Sequence, residues 1–276
     1  MTPPPPTPAL PSSVSSSYDW ALEFRAFTPQ HWIVVGVCAA LMLTWCIVGL
    51  RLLGKGTEEG RQLERRIRRS IGWFIVVSQG LIFIRRFMPG QWDLDESLPL
   101  HMCRWTVWIV AWAMLTLNRK ARALTLFWGL GLSSQVFLTP FLKEGHGSLG
   151  FWVYWLNHLQ IVGVALYDVV VLGYRPNFKD FVFATLAGIG FGVLVFGINI
   201  VLGTNYAYLG AGEHPGASLI DVLGPYPWRA FWLIVGCAAI FVIVYLFSVG
   251  AMALRTRVLK KPPPRFVGPF VGPGDC

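Results

Sequence analysis

Seven apolar stretches, at roughly 31–53, 71–88, 98–117, 123–142, 149–172, 181–203 and 229–253, occupy most of this 276-residue chain. Each approaches the roughly 20 residues that an α-helix needs to cross a bilayer. Hydrocarbon leaves such a stretch few alternatives, because every backbone polar group must be satisfied within the helix. The predicted fold is therefore all-α: a polytopic helical membrane protein with about seven transmembrane helices over residues 31–253. A Pro/Ser-rich lead-in covers 1–30, and a basic Pro/Gly-rich tail covers 254–276. Residues 1–17 carry no charged side chain and read as disordered. They lack the basic start of a signal peptide, so the first span is expected to persist in the mature protein. The second stretch is the weakest. Arg85 and Arg86 leave it an apolar core of about 14 residues, so a re-entrant segment with six spans is the alternative.

Charge distribution sets the orientation. Only 13% of residues are charged, against about a quarter in a soluble domain. The net charge of +9 would suggest nucleic acid in a soluble protein. Here the basic residues collect in alternate connections, 17 on one side against five on the other, with Arg104 inside a span. The positive-inside rule then puts the N-terminus outside and the C-terminus inside, in a cell membrane, with membrane lipids and no nucleic acid as partners. The charged connector 57–69 is expected to form its own helix at the lipid surface, acting as a topology anchor or touching anionic headgroups. Ala184, Gly188 and Gly192, four apart, form a stripe that lets another helix approach closely.

The five cysteines, Cys38, Cys46, Cys103, Cys237 and Cys276, form no CxxC pair and no zinc spacing with histidine. No disulfide framework, metal or cofactor is expected.

Alternating helix direction assigns each interior polar residue a depth. At about 1.5 Å per residue, His101 and Cys103 fall within roughly 8 Å of the outer boundary, and His158 about 13 Å below it. Gln135 falls at about 10 Å, and Thr139 and Asn199 within about 6 Å. Polar groups in hydrocarbon face a bundle interior or a wet cavity, so this shared outer layer defines a candidate pocket. His158 is its best candidate base, with Tyr154, four residues earlier, placed to orient the imidazole. Interhelical hydrogen bonding is the favoured account of Gln135, Thr139 and Asn199 taken singly. Arg104 either reaches outward to the interface or grips a lipid phosphate. The loop 203–228 is rich in Gly, Pro and aromatics; Ser218 and Asp221 have capping-box spacing, so a short interfacial helix or lid is expected there.

LPLHMC at 98–103, WLNH at 155–158, GTNYAYL at 203–209 and GASLIDVLGPYPW at 216–228 resemble the signatures of YwaF-type bacterial integral membrane proteins. That family is more distantly similar to an animal transmembrane phospholipid acyltransferase. The resemblance implies a bacterial inner or plasma membrane and acyl chemistry on a lipid, with an intramembrane Cys and His. His158 matches the histidine of the animal pattern. Its Pro-Cys-His is replaced here by Pro99, Leu100 and His101, so Leu100 stands where the cysteine would be and Cys103 is displaced.

Two functions follow as expectations. The first is an intramembrane lipid acyltransferase or hydrolase, with His158, His101 and, last, Cys103 as catalytic candidates. Arg104, Tyr154, Asn157, Gln135, Asn199, Asn205, Tyr206 and Asp221 would line the substrate. The second is a non-catalytic receptor or transporter with a polar pocket for a small amphiphile. Catalysis by the pair would bring His101 and His158 within about 4–8 Å of a shared cavity; histidines far apart would favour the second function.

Overall fold

Each apolar stretch folds as helix, as the hydrocarbon constraint requires. The computed structural model describes residues 19–211 and 221–259, with side chains up to 250 and not at Asp221. The segment 1–17, Ser218 with its expected helix start, the tail beyond 259 and the Asp221 side chain lie outside the described residues. The helices are α1 (Pro29–Gly54), α2 (Glu58–Arg86), α3 (Met102–Thr116), α4 (Arg119–Leu124), α5 (Leu149–Val170), α6 (Phe178–Leu202) and α7 (Trp228–Leu259). Among the described residues the only β pairing is one isolated bridge, Glu23 with Glu144.

Five helices, α1, α2, α5, α6 and α7, are long and apolar enough to cross a membrane. α3 is apolar but has 15 residues, about 22 Å of helix. The fourth apolar stretch is a broken rod. α4 passes into a π-helical segment, Thr125–Leu132, and then a 3₁₀ segment, Ser133–Phe137. Gly129 lies against Ile161 of α5 in the π-helical part, where an added Cβ would sit 3.3 Å from Ile161 Cγ2.

The connector 57–69 is not a separate surface helix. It is the first half of α2, which runs without a re-entrant break to Arg86. Thr57 caps it by accepting from the Gly60 amide at 3.1 Å, and Glu58 and Glu59 sit favourably at the positive helix end. What holds it upright is its buried face. Arg68 donates to the Met114 carbonyl of α3, and Tyr167 Oη of α5 donates to Glu64 at 3.0 Å. Glu64 also lies 3.3 Å from Arg68. A surface helix would leave this ion pair and its partners apart.

Named contacts fix the helix directions. Arg68 with Met114 joins the start of α2 to the end of α3, and Glu64 with Tyr167 the start of α2 to the end of α5. Gly49 faces Tyr167, so α1 and α5 run parallel. Arg119 with Asp180 makes α4 and α6 parallel. Gly188 faces Phe241 and Gly192 faces Ile234, setting α7 antiparallel to α6. The helices therefore alternate in direction. One end of the bundle collects the connections after α1, α3 and α5, and is called the basic end below. On α6 the Ala184–Gly188–Gly192 stripe receives Trp128, Phe241 and Ile234, a packing role.

The lead-in contains built structure from residue 19 onward. Phe24 N donates to the Lys143 carbonyl (2.7 Å), Gly145 N to Leu22 (3.0 Å) and Gly147 N to Ala21 (2.9 Å). An added Cβ at Gly147 would stand 2.7 Å from the Ala21 carbonyl oxygen, so the glycine permits this close approach.

Candidate functional site

The far end is organised by the loop after α6. Gly203, in the left-handed conformation (φ 69°), ends the helix. Asn199 then ties the chain back: its Nδ2 donates to the Tyr206 carbonyl (2.9 Å), and its Oδ1 accepts from Tyr206 N (2.8 Å) and Thr204 Oγ1 (2.9 Å). Asn205 Oδ1 accepts from Gly210 N at 2.9 Å. Tyr206 is fully buried; its hydroxyl donates to the Leu94 carbonyl and accepts from Leu98 N at 3.1 Å. Asn199, Asn205 and Tyr206, expected to line a substrate, thus brace the loop itself.

The bracing holds two strained residues. Ala207 and Tyr208 both have positive φ, 54° and 61°, at about 1–2 kcal/mol each for residues with a Cβ. The result is that Ala207 N points at His101 Nδ1 (3.4 Å) and Tyr208 stacks on Phe141, with centroids 4.9 Å apart. His101 Nδ1 acts as acceptor, so its neutral ring carries the proton on Nε2. That nitrogen faces Glu96 Oε2 at 3.9 Å. His101 is part of the loop clasp.

Arg104 neither reaches outward nor stands open for a phosphate. It binds Glu96 Oε2 at 2.5 Å and donates to the carbonyls of Leu98 (2.9 Å) and Glu96. Its neighbour Arg86, at the end of α2, is half-buried and makes no hydrogen bond or ion pair among the described residues. Arg86 and Arg104 flank a narrow cleft, a seam between α2 and α3 about 10 Å³ in volume, with Gln79, Phe83, Pro99 and Trp108 among its lining.

His158 sits differently. It is buried on α5, and its Nδ1 lies 2.8 Å from the Tyr154 carbonyl one turn earlier. A carbonyl only accepts, so Nδ1 carries the proton of the neutral ring and the Nε2 lone pair is free to act as a base. Tyr154 does orient the imidazole, but through this carbonyl and its ring face, 4.6 Å away. Its phenol is engaged elsewhere, accepting from Phe141 N at 2.9 Å. The two histidines are linked indirectly: His101 and Phe141 both touch Tyr208, and Phe141 bonds Tyr154, which faces His158. No ring contact or hydrogen bond joins them directly among the described residues.

The remaining candidates separate. Cys103 is a free, half-buried thiol packed against the core cluster that contains Val107 and Ile161. Gln135 is exposed, on a 3₁₀ segment where a continuous α-helix was expected. Thr139 Oγ1 returns to the Gln135 carbonyl at 3.4 Å. Asn157 accepts from Gln79 Nε2 at 2.6 Å. Gln79 also reaches Gln160 Oε1 (3.2 Å), and Gln160 Nε2 donates to Ser78 (3.4 Å). This α2–α5 amide ladder was missed in the sequence. Its signal is depth: Gln79 lies seven residues before the end of α2, about 10 Å below it, level with Asn157.

A second polar group at the basic end was also missed. Arg122 Nε lies 2.9 and 3.0 Å from the two Asp168 oxygens, and its guanidinium stacks on the Tyr174 ring at 4.7 Å. Burial raises the Tyr174 phenol above its ordinary value, so it faces the cation neutral. Among the described residues no group of three His, Cys, Asp or Glu side chains could hold a metal ion.

The alternating apolar helices and their interior polar layer define a multi-pass helical membrane protein. The model of the TMEM164 family matches residues 26–245, and the chain belongs to that family. No curated protein and no solved structure matches the chain.

Proposed function

We propose that this protein is an intramembrane lipid enzyme that transfers or hydrolyses an acyl chain, with His158 as general base. The observation that carries the reading is the Tyr154 carbonyl on His158 Nδ1, which leaves Nε2 unprotonated inside the bundle. In this mechanism Nε2 takes the proton of a lipid hydroxyl or water as its oxygen attacks the acyl carbonyl. The proton then passes to the departing alkoxide. Arg86, unpaired beside Arg104 at the cleft mouth, supplies a cation for a lipid phosphate. Cys103 has no hydrogen bond to either histidine, so the reading assigns it no covalent step. The basic end faces the cytoplasm by the positive-inside rule, with seven spans and the N-terminus outside. The site then lies in the outer half of the cell membrane.

A second reading has two observations in its favour: among the described residues no contact joins His101 to His158, and the α2–α3 cleft is lined by neither. On that reading an amphiphile binds over the cleft, against Arg86 and Phe83, without catalysis. Comparative lipidomics of deletion, wild-type and His158→Ala strains separates the two. Acyl-chain changes shared by the deletion and His158→Ala support the enzyme. A His158→Ala strain with wild-type lipids and normal expression removes it.

A further inference from the structure

The first four turns of α2 have two unlike faces. Glu64 and Arg68 point into the bundle, locked by Tyr167 and the Met114 carbonyl. At about 100° per residue, Gln62, Arg65, Arg66 and Arg69 centre roughly 130° away, and together they line a shallow surface groove. The buried ion pair fixes the helix rotation, so this basic stripe must face away from the protein. All three arginines of the stripe are exposed. Arg65 is bridged to Glu58 at 2.7 Å, while Arg66 and Arg69 make no hydrogen bond or ion pair among the described residues.

The stripe's height relative to the membrane follows from the next turn. Trp73, four residues after Arg69 and on the same stripe, is 56% exposed, and Phe74 beside it is 55% exposed. Exposed aromatics at the end of a spanning helix mark the interface between headgroups and acyl chains. Arg69, Arg66 and Arg65 then stand about 6–12 Å above Trp73 along the axis, at headgroup level. A soluble anion has no use for an aromatic shelf below its charge; a lipid places its acyl chains there.

We propose that the Gln62–Arg65–Arg66–Arg69 stripe of α2 is a binding site for the headgroup of an anionic phospholipid in the leaflet at the basic end. Guanidinium forks suit the phosphate diester oxygens, and Trp73 packs on the attached chains. Glu58 competes with the lipid for Arg65. The site is independent of the acyl chemistry proposed at the other end of the bundle.

The test is native mass spectrometry of the full chain released from nanodiscs containing phosphatidylcholine and phosphatidylglycerol. Wild type is expected to retain phosphatidylglycerol preferentially. Arg66→Gln and Arg69→Gln should each lower that preference about fivefold, and Arg65→Gln/Arg66→Gln/Arg69→Gln should abolish it. Glu58→Gln should raise it by freeing Arg65. The single variants and Glu58→Gln keep the test decisive if the triple variant does not fold. Equal retention of the two lipids by wild type, or unchanged preference in both single variants, overturns the site. A second arm measures thermal stabilisation in detergent by phosphatidylglycerol against inorganic phosphate. Equal stabilisation by phosphate overturns the lipid assignment.

Discussion

His158 Nδ1 lies 2.8 Å from the carbonyl oxygen of Tyr154, one helical turn earlier on α5. This backbone bond fixes which imidazole nitrogen carries the proton, and no other side chain is needed to do it. His101 has the opposite arrangement: its Nδ1 accepts from Ala207 N and its Nε2 carries the proton. The two rings therefore suit different tasks, one a base and the other an acceptor that braces the loop.

Tyr206 is the bolt of that structural clasp. Tyr206→Phe removes the hydroxyl shared by Leu94 and Leu98, leaving both backbone groups unpaired at about 1–3 kcal/mol. Hydrogen exchange is expected to quicken at residues 93–101 and 204–210, with α6 protected as in wild type. Unchanged exchange there would show that the clasp does not depend on the phenol.

The α2–α5 amide ladder couples two helices through Gln79 and Asn157. A double-mutant cycle with Gln79→Ala and Asn157→Ala is expected to give a coupling of about 0.6 kcal/mol, as polar contacts between membrane helices do. Unfolding in detergent measures it, and strictly additive effects would mean the 2.6 Å contact contributes nothing.

At the basic end, Asp168→Asn should destabilise far more. It leaves Arg122 buried without its carboxylate, a loss of about 3–5 kcal/mol. The pair Arg122→Met with Asp168→Leu should recover much of that, because replacing a buried ion pair with apolar side chains is often neutral. Thermal midpoints of wild type and the two variants check the order.

The apolar runs were legible because hydrocarbon admits little but helix, and the alternating basic connections agree with the directions that Arg68–Met114 and Arg119–Asp180 establish. Less visible was the fate of charges within those connections. Arg68 and Arg122 count as loop residues in a sequence, yet both are buried and paired. Asp168, an acid in the last turn of an apolar stretch, was the signal for one of them. Gln135 shows a different limit: depth along an axis says nothing about rotation, and a 3₁₀ turn replaced the expected α-helical facing. The tautomer of His158 was not legible either, since it rests on a backbone carbonyl that every residue possesses.

The most direct measurement is acyl redistribution by the purified protein in liposomes of defined phospholipids, followed by mass spectrometry. Wild type is expected to exchange or release acyl chains, and His158→Gln to do so roughly 10²–10⁴-fold more slowly while unfolding at a similar temperature. Equal rates for the two proteins, or no acyl change with wild type in any phospholipid supplied, would contradict the account.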